Sequence, residues 1–167
     1  FDSDYDSLVL PDFSAGVAFM QDLVTRVGVS GLPCSIRMVD NEQFRLSQVM
    51  KPSSKSNGFA SMQPLLKYIY LFDYHGFDPQ AMVGVTLKYE GSREEKRAQR
   101  SSVDVARRRW GGLWGGKEGG KAGYDLTFAI AYLRDFAMTY GLIGESFETT
   151  VNFGNLQSMV NAVKATI

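Results

Sequence analysis

Residues 82–109 change period once, and that change limits the fold more than any other stretch of the chain. From Met82 to Tyr89 apolar side chains fall at alternate positions, with Val83, Val85 and Leu87 on one side of an extended run. From about Ser92 to Arg109 the spacing becomes helical. A strand that leads directly into a helix buries one face of each against a shared core, so the fold must layer helix on sheet.

The theme recurs along the chain. Leu8 to Leu10 reads as a short strand ended by Pro11, and Ser14 is the expected N-cap of a helix carrying Val17, Met20, Leu23, Val24 and Val27 on one face. Gly28 to Pro33 has turn chemistry. Ser35 to Val39 alternates as a strand, with Ile36 and Met38 on one face and Arg37 and Val39 on the other. Asp40-Asn41 caps a brief helix through Phe44 and Val49, Lys51 to Gly58 is a Ser-rich linker, and Phe59 to Phe72 returns to helical spacing. Trp110 to Gly123 is a glycine-dense loop, and Tyr124 to Tyr140 is a helix carrying Arg134. Ile143 to Val151 alternates as an extended segment, after which Asn152 or Asn155 caps a last helix. This interleaving predicts one α+β domain over 1–167, a largely antiparallel sheet with helices packed on it in a ferredoxin-like layout.

Composition narrows the chemistry. The chain has 167 residues, 44% hydrophobic and 22% charged, the balance of a folding globular chain and not of a disordered one. Lys plus Arg and Asp plus Glu both number 18, so no net field draws nucleic acid or an anionic membrane, and anion binding must come from local placement. One cysteine, Cys34, and one histidine, His75, leave no internal disulfide and no zinc-type ligand set. No apolar run approaches the roughly 20 residues of a spanning helix. The chain opens at Phe1 on an acidic stretch and closes inside an amphipathic segment, as a piece cut from a longer polypeptide would.

Several motifs invite functional readings. Gly111, Gly116 and Lys117 stand at phosphate-loop spacing, but Glu118 occupies the Ser/Thr position and an arginine-rich helix precedes the loop where a buried strand is required. A flexible or substrate-gating loop is the expectation there. Arg93 to Arg109 holds seven basic residues, interleaved with Glu94, Glu95 and Asp104 at spacings that support ion pairs, as on a solvated helix face. Cys34 beside a strand reads as a buried small hydrophobe, and His75 near a turn has no partner set by spacing; neither is assigned a role. Arg37 and Arg134 differ, since each lies within an apolar element. A guanidinium buried there needs a carboxylate such as Asp40 or Asp135, or else holds a phosphate or carbonyl oxygen in its planar fork.

Three segments carry a family resemblance. Ser35-Ile-Arg-Met-Val-Asp-Asn-Glu-Gln-Phe44, Ile130-Ala-Tyr-Leu-Arg-Asp-Phe136 and Gly144-Glu-Ser-Phe-Glu-Thr149 resemble, in order and separation, motifs of the alkyldihydroxyacetonephosphate synthases (alkylglycerone-phosphate synthases), with Met38 where Leu is usual. That resemblance implies a vanillyl-alcohol-oxidase-type FAD-linked enzyme, of which 1–167 would be the substrate-side cap fragment without the FAD-binding domain. It implies exchange of the acyl chain of acyl dihydroxyacetone phosphate for a long-chain fatty alcohol, forming the ether bond of ether lipids without net redox, with flavin N5 holding the dihydroxyacetone phosphate part between the two halves.

By the same resemblance Arg37 is a catalytic arginine near the flavin or the reacting carbon, Arg134 binds the substrate phosphate, and both face one pocket. Glu145, Ser146 and Thr149 line that pocket beside the flavin. FAD would be held mainly by the missing domain and not tightly by this fragment, which alone would be inactive. The resemblance further implies a peroxisomal or glycosomal location, peripheral contact with a membrane, a homodimer and no nucleic-acid partner or metal. Two alternatives stay open: the cap domain of a related FAD-dependent hydroxy-acid oxidase or dehydrogenase, and an RNA- or phospholipid-binding α+β module using the arginine helix.

Overall fold

The computed structural model describes residues 2–28, 31–49, 69–144 and 148–166. The linker expected at Lys51 to Gly58 and most of the helix expected at Phe59 to Phe72 lie outside them. Contacts divide the chain into two units, Phe1–Lys121 and Ala122–Ile167.

The first unit is built on a four-stranded sheet. Strand β1 covers Asp4–Leu10, helix α1 Phe13–Val27, β2 Ser35–Val39 and helix α2 Asn41–Val49. A π-helical turn at Ile69–Tyr74 precedes β3 at Val83–Tyr89, α3 at Arg93–Arg109 and the two-residue strand β4 at Leu113–Trp114. Helix α4, Lys117–Met138, starts in this unit and continues into the second. The strand order is β2-β3-β1-β4 with every pair antiparallel. Each crossover helix, α1 and then α3, therefore joins two strands separated by one other, which is the ferredoxin-like arrangement the period changes predict.

Strand β1 begins four residues before the expected Leu8. Asp4 and Asp6 are poor strand formers by propensity, yet they pair opposite Tyr89 and Leu87. Their charges are met by α3: Lys96 Nζ lies 3.3 Å from Asp4 Oδ2, and Arg100 Nε lies 3.3 Å from Asp6 Oδ2. Part of the basic helix thus answers an acidic strand, while Asp104 pairs with Arg107 and Arg108 along the helix as its spacing predicts. The cap of α1 is Asp12, not Ser14: its carboxylate accepts from Ala15 N–H at 2.8 Å. Asp40 caps α2 through Gln43 N–H, and Ser92 with Glu95 forms a reciprocal capping box on α3.

Alternation then sorts the sheet faces. Leu8, Leu10, Val83, Val85, Leu87 and Tyr89 point toward α1 and α3 and are buried with Phe19, Leu23, Val103 and Ala106. Each large apolar side chain so buried contributes about 1.5–3 kcal/mol. At the ends of the helices Asp22 of α1 receives Arg26, Arg109 and the Trp110 indole N–H, fastening α1 to the end of α3. On the opposite face Val9 joins Phe77 and Met82, with Phe44, Phe72 and Leu113 packed beside them.

The glycine-dense stretch is not a flexible loop. It forms β4 and the first turns of α4, seven residues ahead of the expected start at Tyr124. A Cβ on Gly120 would stand 2.2 Å from the Asp6 carbonyl oxygen, and one on Gly119 2.7 Å from Ser7 Oγ. Glycine is required because helix and strand backbones touch, and this docking overrides low helix propensity.

In the second unit, the helical stretch from residue 122 ends at Met138, where Gly141 takes φ +75° and Leu142 N–H donates to Ala137 O at 3.1 Å. Helix α5 covers Phe153–Thr166, with Asn152 accepting from Asn155 N–H. The strand expected over Ile143 to Val151 is absent among the described residues, and 145–147 lie outside them. Alternation specifies a strand only where a neighbouring edge can pair with it.

Candidate functional site

The sheet face away from α1 and α3 carries polar side chains in rows. Arg37 of β2 stands opposite Thr86 of β3, which stands opposite Ser7 of β1. The next row is Ser35, Lys88 and Tyr5, and the row on the other side, Val39, Gly84 and Val9, is apolar. Directly paired residues share a face, so the strand register puts Arg37 on the same face as Thr86 of the neighbouring strand and Ser7 of the strand beyond it. Arg37 is half-buried and its Nη1 is enclosed. Ser7 Oγ donates to Gly116 O at 2.9 Å, tying this row to the turn before α4. A half-buried guanidinium on a face that also carries hydroxyl side chains suits a planar oxyanion or a polarised carbonyl.

Arg134 is placed differently. It lies on the exposed second half of α4, its side chain 47% accessible, with Nε 3.7 Å from Asp135 Oδ1. The burial expected from its apolar neighbours does not occur: Tyr132, Leu133 and Phe136 are exposed as well. Its unit does bring Gly144 to it, since a Cβ there would lie 4.0 Å from Arg134 Cγ. Glu145 and Ser146 lie outside the described residues, and Thr149 is exposed. Arg37 belongs to the first unit and Arg134 to the second.

Periodicity alone did not reveal a second polar constellation on the helix side of the sheet. Asp6 is buried, and burial pushes its carboxyl above the usual range against the opposing pull of Arg100. The Arg100 guanidinium lies 5.1 Å from the centroid of the buried Tyr89 ring, whose phenol burial raises further above its ordinary value. Beside them lies a shallow, open depression between α3 and the turn into α4, lined by Arg97, Asp104, Trp114 and Lys117. The signal that could have found it is the match between Asp4 and Asp6, two apart on a strand, and Lys96 and Arg100, four apart on a helix.

The remaining singled-out residues have plain surroundings. Cys34 is exposed, not buried, and its thiol donates to Glu90 Oε2 at 3.1 Å. His75 makes edge contacts with the Tyr74 and Phe77 rings. Among the described residues no group of three His, Cys, Asp or Glu is placed to hold a metal, and no helix is long and apolar enough to cross a membrane.

Known proteins share this architecture. Alkyldihydroxyacetonephosphate synthase of Caenorhabditis elegans is 36% identical over 96% of the chain, and that of Trypanosoma brucei brucei is 27% identical over 96%. The chain spans about a quarter of the length of these curated relatives, 26% and 25%. A solved structure of alkyldihydroxyacetonephosphate synthase in P212121 superposes over 99% of this chain and 29% of its own, with a TM-score of 0.81 and 25% identity. Residues 3–167 match the family described as FAD linked oxidases, C-terminal domain, a match that takes in β1, the Arg37 strand and the Arg134 helix alike. The chain therefore belongs to the FAD-linked oxidase C-terminal domain family.

Proposed function

We propose that this chain is the substrate-side cap of an alkyldihydroxyacetonephosphate synthase, acting with an FAD-binding domain in the exchange of an acyl chain of acyl dihydroxyacetone phosphate for a long-chain fatty alcohol. The observation that carries the proposal is the placement of Arg37, half-buried on the same sheet face as Thr86 and Ser7, in a family whose members are FAD-linked. Flavin would supply the centre at which the two halves of the exchange meet.

The residues present fit an edge of that cofactor and not its whole. The Arg37 row offers a cation and hydroxyls to the oxygen-bearing rim of a flavin ring or to the carbonyl of the reacting carbon. The glycine-rich start of α4 does not fit as a pyrophosphate cradle, because β1 already fills it: a Cβ on Gly115 or Gly119 would meet Ser7, and one on Gly120 the Asp6 backbone. FAD would therefore be held chiefly by other polypeptide. Arg134, exposed and only loosely paired with Asp135, is assigned the substrate phosphate, with Gly144 beside it leading to the proposed pocket residues Glu145, Ser146 and Thr149. A peroxisomal or glycosomal site, peripheral membrane contact, a homodimer and the absence of a nucleic-acid partner complete the proposal.

The test is acyl-for-alcohol exchange by the FAD-loaded enzyme that contains this chain. Arg134→Ala is expected to lower kcat/KM for acyl dihydroxyacetone phosphate by about 30- to 150-fold, the loss of a charge-assisted contact of about 2–3 kcal/mol. Wild-type kinetics would remove the phosphate role. Flavin reduction by a 2-hydroxy acid without exchange would favour the alternative that the family's oxidase members suggest.

A further inference from the structure

One hydroxyl at the centre of the sheet is not used by the fold itself. Thr86 stands in the middle of β3, between its direct partners Arg37 on β2 and Ser7 on β1. Directly paired residues of antiparallel strands face the same way, with Cβ atoms about 4.5–5.5 Å apart. Ser7 Oγ is committed to Gly116 O at 2.9 Å. Thr86 is half-buried, and among the described residues its side chain makes no hydrogen bond. Strand propensity alone can place a threonine there, but the surroundings of this one are built.

Two residues back along β3 and on the same face, a Cβ on Gly84 would stand 2.5 Å from Phe44 Cδ2. Glycine there lets the Phe44 ring of α2 lie against the sheet. Val39 and Val9, the partners of Gly84 on either side, extend this apolar ground. In the row on the far side of Thr86, Lys88 is held by Glu90. Arg37 and Thr86 therefore sit side by side at the edge of an apolar patch, where a hydrogen bond to a charged oxygen is stronger than in open water. Both come from paired strands and not from loops, which fixes their spacing.

We propose that Thr86 is a second donor of the Arg37 site: its hydroxyl and the Arg37 guanidinium together hydrogen-bond one carbonyl-type oxygen that gains negative charge during the exchange. Such an oxygen has two lone pairs, one for each donor, and donors already in place when the charge develops stabilise it most. The inference rests on the exchange reading above and adds to it a residue that the resemblance does not assign. The oxygen belongs to the reacting carbonyl of the substrate or to the rim of the flavin ring, and the two sources give different signals.

The test uses the FAD-loaded enzyme that contains this chain, with rates taken per bound flavin. Thr86→Val keeps the β-branched shape and removes the hydroxyl, whereas Thr86→Ser keeps the hydroxyl. Exchange is expected to fall at least about tenfold in Thr86→Val and to stay near the wild-type rate in Thr86→Ser. In an Arg37→Ala background the valine should cost less than it does alone, since the two donors share one oxygen. Flavin absorption bands that shift in Thr86→Val without substrate put the oxygen on the flavin rim, and unshifted bands with a lowered kcat put it on the substrate carbonyl. Wild-type exchange by Thr86→Val overturns the proposal and leaves the exchange reading standing. Equal losses in Thr86→Ser and Thr86→Val, or full additivity with Arg37→Ala, overturn it in the same way. No exchange by the wild-type enzyme removes the reading and this inference with it. Should circular dichroism show Thr86→Val unfolded, Thr86→Ala takes its place against the same outcomes.

Discussion

Glu90 shows how much one partly exposed carboxylate organises at the end of the sheet. Its Oε1 accepts from Ser3 Oγ at 3.1 Å and pairs with Lys88 Nζ at 2.5 Å, while its Oε2 accepts from Cys34 Sγ at 3.1 Å. Hydrogen bonds from Lys88, then Cys34 and Ser3, draw the Glu90 pKa down to about 2 from 4.5. A depressed carboxylate contributes stability that is complete above its unfolded value, near 4.5, and is lost as pH falls through about 2. The same contact works in reverse on its donor: the bond to Glu90, with some burial, raises the Cys34 thiol pKa above 9.0. Cys34, although exposed, should therefore react slowly with iodoacetamide at mildly alkaline pH, and Glu90→Ala should speed alkylation several-fold, because the thiolate is the nucleophile. The same variant should lose only Glu90's share of the acid-limb dependence of thermal stability, since Asp22, Glu95 and Asp104 are also held below their ordinary values. Equal alkylation rates in the two proteins would mean that the carboxylate does not hold the thiol proton.

Among the elements, glycine separates two kinds of close approach. Gly120 meets backbone, the Asp6 carbonyl oxygen at 2.2 Å from an added Cβ, whereas Gly16 meets the Met38 thioether sulfur at 2.3 Å, the end of a flexible side chain. Gly120→Ala should push α4 off β1 and destabilise by about 1–3 kcal/mol. Gly16→Ala gains about 1 kcal/mol of helix propensity against a movable neighbour and should stay within about 1 kcal/mol of wild type. Urea unfolding midpoints check both, and similar losses for the two would refute the distinction. The contrast also marks what could be read from the sequence. The bounds of β2 and α3 are local facts, fixed by alternation between Pro33 and Asp40 and by Ser92 with Glu95, and they were legible. The early start of α4 and the acidic half of β1 were not, because the first depends on backbone more than a hundred residues away and the second on Lys96 and Arg100. In the candidate site, the face of Arg37 followed from alternation alone. Its neighbours Thr86 and Ser7 needed the pairing register, and the exposure of Arg134 ran against its apolar surroundings.

At the scale of the molecule, burial is divided unequally. Among the side chains the structure describes, every buried apolar one belongs to Phe1–Lys121. Among the side chains described from 122 onward, which leave out 127 and 129–131, none is buried, and Phe128, Tyr132, Phe136, Tyr140, Leu142 and Ile143 are each at least 60% exposed. A helix that buries little is stabilised by propensity alone, which is marginal in water, and Gly123 lowers it further. Backbone amides of β3, paired on both sides, and of β1, paired with β3 along its length and with β4 at Leu8 and Val9, lie over the core under α1 and α3 and should open only with global unfolding. Amides from Tyr124 to Met138 should open locally, at a free energy well below the global value. Hydrogen exchange read by mass spectrometry should therefore show peptides from 124–138 and 153–166 exchanging at least about a hundred times faster than those from 4–10 and 83–89. Equal protection across all four would show that the second unit is held as firmly as the sheet.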